Sequence, residues 1–209
     1  MQSSRPNSSS GSLLQGMGPP LGSYAEYEAW MDTQAGAICR GEWDGWPCES
    51  GFGMLRDAVV ASGADQGALW LVDDWKHELR PCFSSARDSD RFLQEIRQPL
   101  SSGLISMVFF TEHAICEANV GSRSEYCSDI DSRLGARTQA MVAIPIFFAQ
   151  RCRGIFSAVI FSSGASLNRK EAFLPADFDI LSQASSLWSA QMNSQLSGLA
   201  IQIGVKLRS

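Results

Sequence analysis

The features missing from this sequence limit its function more sharply than those present. No run approaches the roughly 18 consecutive apolar residues needed to span a bilayer. The N-terminus also has no apolar core followed by a small-residue cleavage site, so the expected location is the cytoplasm. Basic residues are short as well: 17 Lys and Arg stand against 22 Asp and Glu, for a formal charge of -5. Such a chain has no general attraction to phosphate backbones. Arg133, Arg137, Arg151 and Arg153 come nearest to a basic stripe, but Asp129 and Asp131 accompany them, and the group reads as a solvated loop surface. Nucleic acid is not an expected partner.

Histidine is scarce too. His77 and His113 are the two present, and neither begins a metal-ligand pattern. The six cysteines include no CxxC pair, and without a secretory signal they imply reduced thiols rather than a disulfide framework. Cys116 lies three residues from His113, a spacing that puts the two on opposite faces of a strand. Cys127 sits among Glu125, Asp129 and Asp131, whose charge works against a thiolate. Asp73 with Asp74, and Asp129 with Asp131, are what turns select without any catalysis. The chain is expected not to be an enzyme.

What remains is an ordinary globular composition, with 44% hydrophobic residues in 209 positions, enough for one domain with a full core. Six Trp and eleven Phe mean that much aromatic surface is buried, within the chain or against a partner. Residues 1–22, rich in Ser, Gly and Pro, read as a flexible tail. Tyr24, Tyr27, Trp30, Met31, Gln34 and Ile38 recur at helical spacing, with Ser23 as N-cap and Glu26 completing a capping box. Residues 41–53 then read as a loop carrying Trp43 and Trp46. A second helix is expected to bury Phe52, Leu55, Val59 and Val60 and to stop at Gly63.

From there the period shortens. Residues 66–73 and 77–83 predict a β-hairpin, residues 87–98 a helix with Phe92 and Ile96 inward, residues 104–110 a helix opened by Gly103, and residues 113–118 a third strand. Residues 122–135 are polar and read as irregular. Residues 138–148 and 154–161 are two apolar strands, with Arg151 and Arg153 marking the turn between them and Pro145 marking an edge or bulge. After a polar loop over 162–174, Pro175 and Asp177 start a helix through about residue 195, with Phe178, Leu181, Ala184, Ser185 and Trp188 on one side. Residues 199–207 alternate in period two, which predicts a frayed end or a strand that pairs with a partner. The expected class is α/β of the α+β kind, a central, mostly antiparallel sheet flanked by N- and C-terminal helices. Its divisions are the tail 1–22, the helix and Trp-rich loop 23–51, the main domain 52–195 and a C-terminal extension 196–209.

Within 52–195 the order of elements resembles a GAF domain, a small-molecule sensor fold. Gly63-Ala-Asp65-Gln-Gly67-Ala-Leu69-Trp-Leu-Val72-Asp73 resembles its helix end and first strand, and Pro99-Leu-Ser-Ser-Gly103-Leu-Ile its glycine turn. Thr111-Glu-His113-Ala-Ile115 resembles the following strand entry. Gly135 to Pro145-Ile146 with Arg153-Gly154-Ile155-Phe156 resembles the last two strands, and Phe178, Leu181 and Ala184 fit the closing helix. The resemblance implies a pocket built by Trp70, Met107, Phe110, Ile115, Met141, Ala143 and Phe156, with Asp129 and Arg137 as polar contacts. It also implies a homodimer through the terminal helices.

Family variants with a specific chemistry are disfavoured. No Asn-Lys-Phe-Asp-Glu stretch accompanies a cyclic-nucleotide site, no Cys-His pair would attach a bilin, and Ser102-Gly103-Leu104-Ile105 lacks the thiol that methionine sulfoxide-reducing members carry at this turn. No cofactor is named by these residues. The expected function is sensory or regulatory: binding of a small molecule, signalled through a dimer or a partner protein, since no DNA-binding, kinase or cyclase domain is present. A ligand-free adaptor of a larger complex is the alternative, and a sulfoxide-reducing enzyme is a third.

Overall fold

Short apolar runs bounded by turn residues form strands, and the longer runs with helical spacing form the layers that cover them. A computed structural model describes residues 23–43, 49–86, 89–162 and 170–206, without the side chains of residues 49–50 and 202–206. The strands are β1 (Gln66–Asp73), β2 (Glu78–Ser84), β3 (Gln98–Pro99), β4 (Ile115–Glu117), β5 (Thr138–Phe148) and β6 (Arg151–Phe161). They make one six-stranded sheet in the order β3-β2-β1-β6-β5-β4, and every neighbouring pair is antiparallel. The helices are α1 (Tyr24–Arg40), α2 (Glu49–Ala61), α3 (Ser89–Glu95), α4 (Leu104–Thr111), α5 (Asp129–Leu134) and α6 (Pro175–Lys206). The tail 1–22, Trp46 and most of the loop after β6 lie outside the described residues.

α1 begins as the sequence dictates, with the Ser23 hydroxyl accepting from the Glu26 N–H at 3.3 Å. Its last carbonyls are satisfied by Arg80 of β2, which donates to Cys39 O at 2.5 Å and Ile38 O at 3.2 Å. Arg40 then stacks over Trp75 at the tip of the β1–β2 hairpin, 3.8 Å from the ring centroid. α1, α2 and α6 cover one face of the sheet, where Trp188 meets Phe148 edge to face. Trp43 is half-buried against this core.

Several expectations are corrected. Val60 is exposed rather than buried, because Leu55 and Val59 at i and i+4 already fix the inward face of α2 and Val60 falls beyond it. α2 also starts at Glu49, inside the stretch read as loop. Of the helix expected over 87–98, Ser89–Glu95 is helical, residues 87–88 lie outside the described residues, and Gln98 and Pro99 join the sheet opposite Leu79 and Glu78. Within 122–135, Asp129–Leu134 is helical. The turn between the two long strands is Ala149 and Gln150, both with left-handed φ (48° and 63°), as two-residue hairpin turns require. Arg151 and Arg153 therefore belong to β6. Arg153 is buried, not solvated, and pairs with Asp32 of α1. Pro145 lies in β5 beyond the reach of β4, beside a bulge at Ile146 and Phe147.

The period-two run near the C-terminus is helical. Met192, Leu196 and Ala200 continue at i, i+4 and i+8 the buried stripe begun by Leu181 and Trp188, so α6 keeps its packing past residue 195. No helix among the described residues is long and apolar enough to cross a membrane.

Candidate ligand-binding site

The second face of the sheet is open at its centre. Residues that pair across strands share a face: Trp70 with Ile155, Ala68 with Ser157, and Ser157 with Ala143. Above this face sit the first turn of α4 (Leu104, Ile105), Phe92 of α3, and the segment from Tyr126 to Leu134, and between them lies a cavity. Its volume is about 80 Å³. The space is small beside the usual site range of about 300–1,000 Å³ and suits a ligand of only a few non-hydrogen atoms, held closely.

The walls are fixed by internal hydrogen bonds. Trp70 donates from Nε1 to Ser157 Oγ at 2.9 Å and meets Phe92 edge to face, 5.4 Å between centroids. Gln98 folds its amide over the glycine turn, donating from Nε2 to Ser102 O at 2.5 Å and Pro99 O at 3.1 Å. Gly103, at φ 90°, lets that amide approach, since a Cβ there would lie 2.7 Å from Gln98 Nε2. Asp131 of α5 ties the cover to the sheet: Oδ2 accepts from Tyr126 Oη and from the Thr138 N–H at 2.5 Å, and Oδ1 accepts from Thr138 Oγ1 at 2.8 Å. Burial, with the Asp131 hydrogen bond and charge, pushes the Tyr126 phenol above its usual range and keeps it a donor.

Of the residues singled out from sequence, the cavity brings together Trp70 and Met141. Phe156 follows Ile155 and precedes Ser157 in β6, so it points to the opposite face, opposite Ile144 and Leu69. Ala143 shares the cavity face but is fully buried away from the opening. In α4, Leu104, Ile105 and Val108 face the sheet, which turns Met107 aside and leaves Phe110 66% exposed. Ile115 is half-buried in the edge strand β4, and Asp129 and Arg137 are exposed. The acidic residue at the cavity is Asp131, two positions from the one anticipated. Gln98, Tyr126, Cys127, Thr138 and Ser157 are further lining residues that sequence reasoning missed. Ile130 and Leu134 fall at helical spacing on either side of Asp131 within the segment read as irregular, a signal too short to decide it.

Four thiols are quiet. Burial pushes Cys39 and Cys82 up to about 12 and Cys152 up to about 11, and Cys116 is raised by burial and then by Glu117 and Asp177. Such groups stay protonated near neutrality. Among the described residues no three His, Cys, Asp or Glu side chains converge as a metal site.

Comparison with known structures follows the same geometry. The GAF domain of a phosphoenolpyruvate-protein phosphotransferase from Coxiella burnetii superposes with a TM-score of 0.58 at 17% identity, over 84% of this chain and 98% of that one. The chain has a divergent GAF-like fold. A methyl-accepting chemotaxis protein matches this GAF-like chain with a TM-score of 0.52 at 17% identity, over 85% of this chain and 96% of the other. Free methionine-R-sulfoxide reductase from Neisseria meningitidis, solved in complex with its substrate, matches with a TM-score of 0.50 at 13% identity, over 87% and 99%. At these identities the likeness speaks for the fold alone. No family model and no curated protein matches the sequence.

Proposed function

We propose that this GAF-like domain is a sensory or regulatory module that binds a small molecule and passes the change to a second copy or a partner protein through its terminal helices. The cavity carries the reading. It is concave, largely apolar, and set with a few polar groups whose geometry is fixed before any ligand arrives, the arrangement expected of a binding site. The role is binding rather than catalysis: the Asp131 carboxylate is already engaged by Tyr126 and Thr138, and burial holds Cys39, Cys82 and Cys152 protonated. Five cysteines are free among the described residues, as a reducing compartment keeps them, so the cytoplasm is part of the proposal.

α6 supports the output side. From Ile180 to Val205 it contains no Asp, Glu, Lys or Arg, although exposed helix faces ordinarily carry charge. Ile180, Leu187 and Ile201 are exposed on it at heptad spacing and its double, the pattern of a helix seam. Thermal unfolding of the purified protein against a broad metabolite set tests the binding role. A ligand at a hundredfold excess over its dissociation constant stabilises by about 3 kcal/mol. Silence across the whole set would instead leave a ligand-free adaptor.

A further inference from the structure

The charge lining the cavity is of one sign. Asp131 supplies its carboxylate, and among the described residues no Lys, Arg or His lines it. Four aromatic rings do, those of Trp70, Phe92, Tyr126 and Phe161. The negative faces of such rings attract cations, and more strongly where water is excluded. An anion placed there would meet a carboxylate with no compensating cation, at a cost that grows with burial.

The hydrogen bonds of Asp131 sharpen the point. A carboxylate offers about four acceptor positions. Two on Oδ2 are taken by Tyr126 Oη and the Thr138 N–H, and one on Oδ1 by Thr138 Oγ1, so Oδ1 keeps an acceptor position. All three of these donors belong to neutral groups, so no cation is hydrogen-bonded to the carboxylate. The basic side chains of this region stand outside the cavity: Arg137, beside Thr138, is exposed although its charge is felt at Tyr126, and Arg91 and Arg133 line an adjoining groove that shares Gln66, Phe92, Leu134 and Phe161 with the cavity. There Arg91 pairs with Glu95 at 3.0 Å and Arg133 is exposed, where solvent and salt screen them.

We infer that the cavity selects a small organic cation, an ammonium or quaternary ammonium ion, over neutral or anionic molecules of the same size. This rests on the proposed ligand-binding role and adds the class of ligand. Asp131 balances the charge, and the rings of Trp70, Phe92, Tyr126 and Phe161 receive the alkyl or methyl groups around the nitrogen. The aliphatic side chains Leu104, Ile105 and Met141 leave little room for a hydrated ion.

Three probes of matched shape test it by calorimetric titration and thermal shift: choline, the neutral 3,3-dimethylbutan-1-ol, and 3,3-dimethylbutanoate. Choline is expected to bind roughly tenfold or more tightly than the alcohol, and the carboxylate to be weakest. Asp131→Asn should bring the choline-to-alcohol ratio to about one. Because that change touches the tie between α5 and β5, Phe92→Leu is the second variant, and it should weaken choline several-fold while sparing the alcohol. Equal or tighter binding of the alcohol or the carboxylate overturns the cation preference and leaves the ligand-binding role standing. Absence of binding by every probe, together with silence across the metabolite set, overturns both.

Discussion

At Gly154 the backbone of β1 passes so close that a Cβ would lie 2.0 Å from the Trp70 carbonyl oxygen. Both partners are strand backbone, so no side chain can yield. Gly154→Ala must therefore push β6 from β1, and a loss of about 2–4 kcal/mol is expected in denaturant unfolding. Gly198→Ala provides the contrast. It sits in α6 with nothing within 4 Å of an added Cβ, so the same change should stabilise by roughly 0.5–1 kcal/mol. Equal effects at the two sites would mean that the close approach is not what Gly154 provides. At this scale the sequence was partly legible. Trp70 and Met141 came from the resemblance to the GAF fold, which names the strands around the cavity but not the face of each residue, so Phe156 was grouped with them although strand alternation turns it to the opposite face. Asp131 could not be placed, because choosing between it and Asp129 required knowing that a polar stretch between Cys127 and Gly135 is helical. Six helical residues carry too little periodicity for that.

Helix α6 is anchored at its start by one carboxylate. Burial alone would push the Asp177 carboxyl up, but hydrogen bonds from the Lys170 ammonium and the Leu174 N–H outweigh it and hold the group below its usual range. Lys170 also donates to Ser62 O at 2.6 Å, so the same contact joins the end of α2 to the beginning of α6. A carboxyl depressed in the folded state stabilises above its unfolded value, near pH 4, and that contribution fades as pH falls through the folded value. Asp177→Asn should therefore cost about 1–2 kcal/mol at pH 7. The gap between variant and parent should shrink below about pH 4. Urea unfolding at pH 7 and pH 3 checks it, and a gap that stays constant would remove the ionised carboxylate as the cause. The length of α6 was misjudged from sequence for a related reason: Leu199, Ile201 and Ile203 alternate like a strand. The deciding residues are the less conspicuous Met192, Leu196 and Ala200, which only packing against the core identifies.

For the whole molecule, the order of elements and the antiparallel sheet were readable because hairpins, glycine turns and long apolar strands announce themselves locally. Which face of the sheet stays open was not, since that depends on where α3, α4 and α5 come to rest over β1, β5 and β6. The charge-free face of α6 is the feature whose meaning belongs to this scale. If it seats a second copy, Leu187→Glu with Ile201→Glu should shift the protein to monomer in sedimentation or light scattering. Both side chains are exposed, at 59% and 67%, so the stability of the single chain should change by less than about 0.5 kcal/mol. An unchanged molecular mass would move the output to a partner of different sequence.

The strand order has a consequence for how the protein is made. β1 lies at the centre of the sheet, yet its inner neighbour β6 is the last strand in the chain, and Ala68 pairs with Ser157. During translation the β1–β2 hairpin emerges early and waits with one row of backbone donors and acceptors open until residues near Phe161 leave the ribosome. For that interval the nascent chain carries an apolar, unpaired strand edge, the kind of surface that chaperones hold and that aggregates seek.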